Sequence, residues 1–208
     1  MLPLYPNDIK FPVLTLSIIF MNIGIFIFLL TLNQFQLVQT YYRYGVVPVI
    51  IFTQERFIQL ITYGFIHDNV MHLLGNMWLL WLSGSILEST KSKIFYIFFV
   101  FLAAIVTALI YIMANNNSTT ILVGFSGAIA GIMGYVFVTA NNTIRTYIFP
   151  LFIVNINVKV LFVLWLVIQC LLMIYFPTSE VSVISHIAGF TLGVLVGLMD
   201  FTVKKKIF

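Results

Sequence analysis

The chain has 208 residues, of which 62% are hydrophobic and only 8% are charged, and its mean hydropathy is +1.10. Soluble domains carry about 25% charged residues, so this composition excludes a cytosolic enzyme, a nucleic-acid-binding protein and a disordered chain. The single cysteine, Cys170, excludes a disulfide framework and a cysteine-based metal site. The composition predicts a membrane protein, and the length accommodates six or seven spans of about 20 residues each.

The first apolar run covers residues 11–32. No small-x-small cleavage site follows it and further apolar runs come later, so we interpret it as a retained first span rather than a signal sequence. Residues 33–69 mix polar side chains with aromatics, which predicts a long structured loop at the membrane interface. The pattern predicts one domain, 1–208, an all-α bundle of six transmembrane helices. The further spans are predicted at 70–88, 94–113, 124–140, 158–175 and 183–201.

The basic residues predict the orientation of this bundle. With the N-terminus inside, only Arg43 and Arg56 lie on the outer side. This bias follows the positive-inside rule and predicts a multi-pass protein of the cell membrane with both termini in the cytoplasm. We interpret the run Lys204–Lys206 as an anchor to anionic lipids. The basic residues on the inner side are Lys10, Lys91, Lys93, Arg145, Lys159, Lys204, Lys205 and Lys206.

Four polar residues stand at the starts of predicted spans. Polar groups inside a membrane cost free energy unless they are paired or face a cavity, so they indicate function. His72 and Asn76 lie near the start of the second span, Ser126 at the start of the fourth and His186 at the start of the sixth. These three spans all run from outside to inside, so their first turns share a depth on the outer side. The sequence therefore predicts one site formed by the four residues.

Small residues predict that the fourth and sixth spans pack closely. The sixth span has glycine at Gly189, Gly193 and Gly197, and the fourth has a similar stripe that includes Gly127 and Gly131. Small residues at four-residue spacing let helix backbones approach closely in lipid. The serine and the histidine at the outer ends of these two spans are then expected to be in contact.

The predicted site suits nucleophilic catalysis. A serine hydroxyl beside a neutral imidazole is the minimal activated nucleophile, because the histidine takes the proton as the oxygen attacks and returns it to the leaving amine. His72 and Asn76 lie on one helical face. Together with the backbone N–H of Ser126 at a helix N-terminus, they could stabilise an oxyanion.

No acidic residue is expected to complete a triad. Asp200 and Glu88 belong at the inner surface, about 21 and 24 Å along their helices from the two histidines. Glu180 and Asp68 lie in outer loops with no spacing that favours contact. We therefore predict a Ser-His dyad. The chain offers no clustered set of metal ligands, so neither a metal nor a cofactor is expected.

Four motifs stand in order along the chain: His67–Asn76, Gly84–Glu88, Gly124–Gly127 and His186–Gly193. They resemble the motifs of the rhomboid intramembrane serine proteases, and the match covers nearly the whole chain. The resemblance implies that Ser126 is the nucleophile, His186 the general base, and His72 with Asn76 the oxyanion stabilisers. It also implies a water-filled cavity that opens outward, and substrates that are themselves transmembrane segments of other proteins, in contact with membrane lipids.

Two positions depart from the pattern of this family. Many members carry a Trp-Arg pair in the first loop, where this chain has Phe57, Ile58 and Gln59, with Arg56 displaced. Some members place an aromatic residue four positions after the serine, stacked on the base, where this chain has Ala130. Neither departure removes a catalytic group. They concern the anchoring of the first loop and the support of the histidine ring.

The leading hypothesis is therefore a serine endopeptidase that hydrolyses peptide bonds within the bilayer. The alternative is a catalytically silent relative that binds membrane clients, although such relatives usually lack the serine or the base and both are present here. A small transporter or channel is a third alternative. It would need ionisable residues near mid-membrane and inverted halves with broken helices, whereas the polar groups of this chain gather on the outer side. His67 is interpreted as structural, holding the first loop. The natural substrate and the oligomeric state are not indicated by the sequence.

Overall fold

The computed structural model describes residues 11–140, 143–148, 152–175 and 183–207. The described chain is an all-α membrane bundle, as the sequence predicts, with one small exception given below. Lys10, Glu180 and the turn at Pro177 lie outside the described residues. The helices are α1 Val13–Leu29, α2 Gln34–Tyr44, α3 Gln59–Thr62, α4 Val70–Thr90, α5 Lys93–Ala114, α6 Ser126–Thr139, α7 Val158–Tyr175 and α8 Val183–Ile207.

Among the described residues, three helices are long and apolar enough to cross a membrane: α4, α5 and the Val183–Asp200 part of α8. Helices α1, α6 and the Val158–Leu171 part of α7 are apolar but shorter. Helix α6 has 14 residues, about 21 Å of helix, whereas the hydrocarbon core of a bilayer is about 30 Å thick. One end of α6 therefore lies within the hydrocarbon layer.

The first loop, 33–69, is structured by short helices. Helix α2 begins with a capping box, in which the side chains of Asn33 and Gln36 each accept a hydrogen bond from the backbone N–H of the other. The loop continues through single 3₁₀ turns at Pro48–Ile50 and Tyr63–Phe65, with α3 between them. Capped ends and short turns satisfy the backbone polar groups of a segment that lacks a long helix.

Gln59 anchors this loop at the position where the chain lacks the Trp-Arg pair. Its wholly buried amide donates to the carbonyl oxygens of Tyr42 at 3.0 Å and Arg43 at 3.2 Å, at the C-terminal end of α2. Arg56 donates to the same Tyr42 carbonyl at 3.3 Å and stands over the Tyr42 ring. These contacts tie α3 to α2 without a Trp-Arg pair.

One element departs from the all-helical expectation. Strands β1 (Thr143–Ile148) and β2 (Phe152–Asn157) form an antiparallel pair between α6 and α7, in register from Thr143 opposite Asn157 to Ile148 opposite Phe152. Both strands are rich in β-branched and aromatic residues, which favour extended backbone. The segment lies between the predicted spans, where the helical apolar pattern makes no prediction.

Helices α6 and α8 pack with their backbones in direct contact through glycines. A Cβ atom at Gly193 would overlap the carbonyl oxygen of Gly131, and one at Gly189 would overlap that of Gly127. A Cβ atom at Gly134 would overlap the carbonyl oxygen of Phe190. The predicted packing of the two small-residue stripes is therefore confirmed.

Acidic side chains connect the helices at the opposite end of the bundle. Both carboxylate oxygens of Glu88 accept hydrogen bonds at 2.8 Å from the start of α1, from the N–H groups of Leu14 and Thr15 and from the Thr15 hydroxyl. Asp200 pairs with Lys91 at 2.6 Å and accepts from the Tyr135 hydroxyl at 2.8 Å. These two acids stabilise the frame and lie far from the histidines of α4 and α8.

The glycine contact generates a stability prediction. Gly193→Ala should lower the thermal midpoint of the purified protein in detergent by about 2–12 °C, because overpacking costs about 1–3 kcal/mol and each kcal/mol shifts a domain of this size by about 2–4 °C. The matched control is Gly24→Ala, where an added methyl meets no atom within 4 Å. Equal midpoints for the two variants would contradict the close approach of α6 and α8.

Candidate active site

Ser126 and His186 form a direct hydrogen bond. Ser126 is the first residue of α6, and its Oγ lies 2.7 Å from Nε2 of His186 on α8. The histidine is only 6% exposed. Two residues that are 60 positions apart in the chain are thus in contact at the ends of two tightly packed helices.

A glycine turn places the nitrogens of α4 beside the serine. Gly124 has a φ of +103°, which a residue with a Cβ rarely adopts, and its N–H donates to the Tyr63 carbonyl at 2.9 Å. A Cβ at this position would lie 2.5 Å from Nε2 of His72 and 3.4 Å from Nδ2 of Asn76. Both side chains therefore lie against the turn that leads into Ser126, and the structure brings all four predicted residues together.

Asp68 contacts His72, which the sequence analysis did not expect. Its Oδ1 lies 2.6 Å from Nδ1 of His72, and both side chains remain partly exposed. The side chain of Asn69 accepts from the His72 N–H at 2.8 Å and caps α4. Because the helix starts directly after this cap, Asp68 lies one turn before His72 and on the same side.

His67 contacts Asn76, so its role is wider than holding the loop. Its Nε2 accepts from the Asn76 amide at 2.9 Å, while its backbone carbonyl accepts from the Tyr41 hydroxyl at 3.4 Å. Burial lowers the pKa of His67 to about 3, and repulsion from the nearby His72 adds to the shift. A neutral ring can accept a hydrogen bond from the amide, so His67 orients the Asn76 side chain.

Helix α7 supplies two contacts to His186 that the sequence analysis missed. Oε1 of Gln169, itself 6% exposed, lies 2.8 Å from Nδ1 of the histidine. The Trp165 ring packs against the imidazole at a tilt of 48°, with a centroid distance of 5.3 Å. Trp165 thus supplies an aromatic contact to the histidine ring, which Ala130 on α6 cannot provide. The missed signal was an amide within an apolar span, one helical turn after a tryptophan.

The described part of the chain contains no group of three His, Cys, Asp or Glu side chains that could hold a metal ion. The polar groups of the site instead pair with one another. They form three contacts around Ser126: Asp68 with His72, His67 with Asn76, and Gln169 with His186.

The comparison with protein families identifies the family of the chain. The model of the Rhomboid domain matches residues 54–203, which is more than half of the chain and includes every residue of the site. The chain therefore belongs to the rhomboid family, whose members are helical membrane proteins and generally intramembrane serine proteases, with inactive members among them. No curated protein matches the chain.

The buried His67 generates a prediction on pH. Its pKa is about 3 in the folded protein and about 6.5 in the unfolded chain. Between these values the unfolded state binds the extra proton, so the free energy of unfolding should fall as the pH drops from about 6.5 towards 3. The thermal midpoint in detergent should therefore decrease more steeply on acidification for the wild type than for His67→Gln. Parallel curves would contradict a buried neutral His67.

Proposed function

We propose that this protein is a serine endopeptidase that hydrolyses peptide bonds in or near transmembrane segments of other membrane proteins. The observation that carries the proposal is the partly buried 2.7 Å hydrogen bond between Ser126 and His186. Membership of the rhomboid family supports it, because that family generally consists of intramembrane serine proteases. The reaction uses a serine nucleophile and needs no metal.

In the first step Ser126 Oγ attacks the carbonyl carbon of the scissile bond while its proton passes to Nε2 of His186. The tetrahedral intermediate then collapses, and His186 donates that proton to the leaving amine. An ester between Ser126 and the N-terminal part of the substrate remains. Water attacks the ester with His186 again as the base, which releases the new carboxyl end and restores the serine hydroxyl.

The negative charge of each intermediate is stabilised by donors on α4 and α6. Asn76 presents one of its two amide N–H groups. The other donates a hydrogen bond to the neutral His67, which holds the side chain in place. His72 places Nε2 next to the Gly124 turn. Because the Asp68 carboxylate accepts from Nδ1–H, Nε2 donates to the oxyanion from the doubly protonated ring, which the carboxylate stabilises. The Ser126 N–H, at the first position of α6, has no acceptor within its own helix and is therefore available as a third donor.

The site opens to the outer side of the cell membrane, with both termini in the cytoplasm. The support for this orientation is the distribution of basic residues, only two of which, Arg43 and Arg56, belong to the segment at the Ser126 end. Substrates are then single segments that approach through lipid and are cut near their outer ends. A substrate helix has to unwind locally before its peptide bond reaches Ser126, since helical backbone groups are already paired.

The proposal is tested by cleavage of a generic single-span substrate in liposomes. The wild type should generate two fragments, whereas Ser126→Ala and His186→Ala should reduce the rate by at least about 10³-fold, because residues of such a unit act together. Fluorophosphonate labelling of the wild type should be absent in Ser126→Ala. Equal cleavage by Ser126→Ala would overturn the mechanism. Substrate binding without cleavage by the wild type would favour the catalytically silent alternative.

A second prediction concerns the oxyanion donors. Asn76→Ala should lower kcat by about 10²–10³-fold with a small change in KM, because its amide is used mainly in the transition state. The matched control is the neighbouring Gly75→Ala, which adds a methyl that meets no atom within 4 Å. An Asn76→Ala protein with unchanged kcat and an unchanged thermal midpoint would exclude Asn76 from the oxyanion site.

A further inference from the structure

Gln169 is an unusual residue for its helix. Most described side chains of α7 are apolar, and many are exposed, which in a membrane means contact with lipid. Gln169 instead is buried and directs its amide oxygen at His186. A polar side chain within a membrane helix costs free energy unless it is paired. The hydrogen bond between Gln169 and His186 offsets that cost. The exposed apolar residues on the helix include Val160, Val163, Leu164, Val167, Ile168 and Leu171.

The contact selects one tautomer of the histidine. An amide oxygen can only accept a hydrogen bond, so the 2.8 Å contact to Gln169 requires the proton of the neutral ring to be on Nδ1. Nε2 then carries a lone pair and accepts from the Ser126 hydroxyl at 2.7 Å. In the other tautomer, Nε2–H would face the serine and could not take its proton.

We propose that Gln169 is a positioning residue, which orients His186 for its reaction with Ser126. It holds the base in the tautomer that accepts the serine proton and keeps its hydrogen bond to Nδ1–H when the imidazolium forms. This inference rests on the proposed function and deepens it. The sequence predicts a dyad because no acid is expected near His186, whereas the orienting group is a neutral amide.

A neutral acceptor suits this location. A carboxylate at the same place would lose its hydration on burial, and that cost can exceed the attraction to the histidine. An amide oxygen has a far smaller desolvation cost and still fixes the tautomer, as the asparagine does in Cys-His-Asn sites. Trp165, one turn earlier on α7, supports the ring face, so one helix controls both the tautomer and the position of the base.

The kinetic test compares Gln169→Leu with Gln169→Glu in the liposome assay at about pH 8. Leucine fills the space without an acceptor, so kcat should fall at least about tenfold with KM within about twofold, towards the roughly 10⁴-fold loss caused by a wrong tautomer. Glutamate keeps an acceptor oxygen and should retain more activity than leucine. A packing role predicts the reverse order, because a buried carboxyl disturbs an apolar helix more than leucine does. The control is Cys170→Ser, on the exposed side of α7.

A spectroscopic test does not depend on turnover. The chain has only three histidines, so protein labelled with ¹⁵N-histidine yields three pairs of ring nitrogens, and His186 is assigned by its absence from His186→Gln. In the wild type Nδ1 of His186 should be protonated and Nε2 unprotonated. In Gln169→Leu the Nε2–H tautomer should gain population. Identical His186 signals in the two proteins would overturn the inference.

The two tests separate this inference from the proposed function. A wild type that cleaves in a Ser126-dependent manner, with the same kcat in Gln169→Leu and an unchanged thermal midpoint, would refute the role of Gln169 and leave the protease intact. A wild type that does not cleave would refute the protease, while the nitrogen signals would still decide whether Gln169 sets the tautomer.

Discussion

The backbone contact between α6 and α8 determines whether a serine and a histidine from distant parts of the chain can meet. The serine side chain is short, so it reaches His186 only if the two helix axes lie close together. A Cβ atom at the contact between the helices would keep them further apart. Gly131 and Gly193 permit this, since the carbonyl of the first occupies the space that a side chain on the second would need. Every other feature of the site is arranged around the pair that this contact creates.

The hydrogen-bond partners around this pair are explained by the free-energy cost of placing polar groups in lipid. Each polar side chain of the site has a specific partner: an acid on His72, a neutral histidine on Asn76 and an amide on His186. The charged member, Asp68, is partly exposed, whereas the amide partner, Gln169, is buried. Charge is thus confined to the accessible part of the site, where water reduces its desolvation cost.

Two further acids lie at the other end of the bundle and stabilise its frame. Glu88 caps the start of α1, and Asp200 connects Lys91 with Tyr135. This separation explains how a chain with 8% charged residues can have both a stable frame and the site proposed for catalysis. A Ser-His mechanism needs no buried carboxylate beside the base, so hydrolysis is compatible with a nearly uncharged interior.

Composition, hydropathy and small-residue spacing were sufficient to predict the helical membrane bundle, the α6–α8 interface and the convergence of Ser126, His186, His72 and Asn76, because these depend on periodicity and on burial cost. The hairpin β1–β2, the pairing of Asp68 and the contacts of Gln169 and Trp165 were decided only by the tertiary structure. A lone amide or tryptophan in an apolar span does not reveal which way it faces. That depends on how α7 is rotated against α6 and α8, which is set by packing over the whole bundle and by no local pattern.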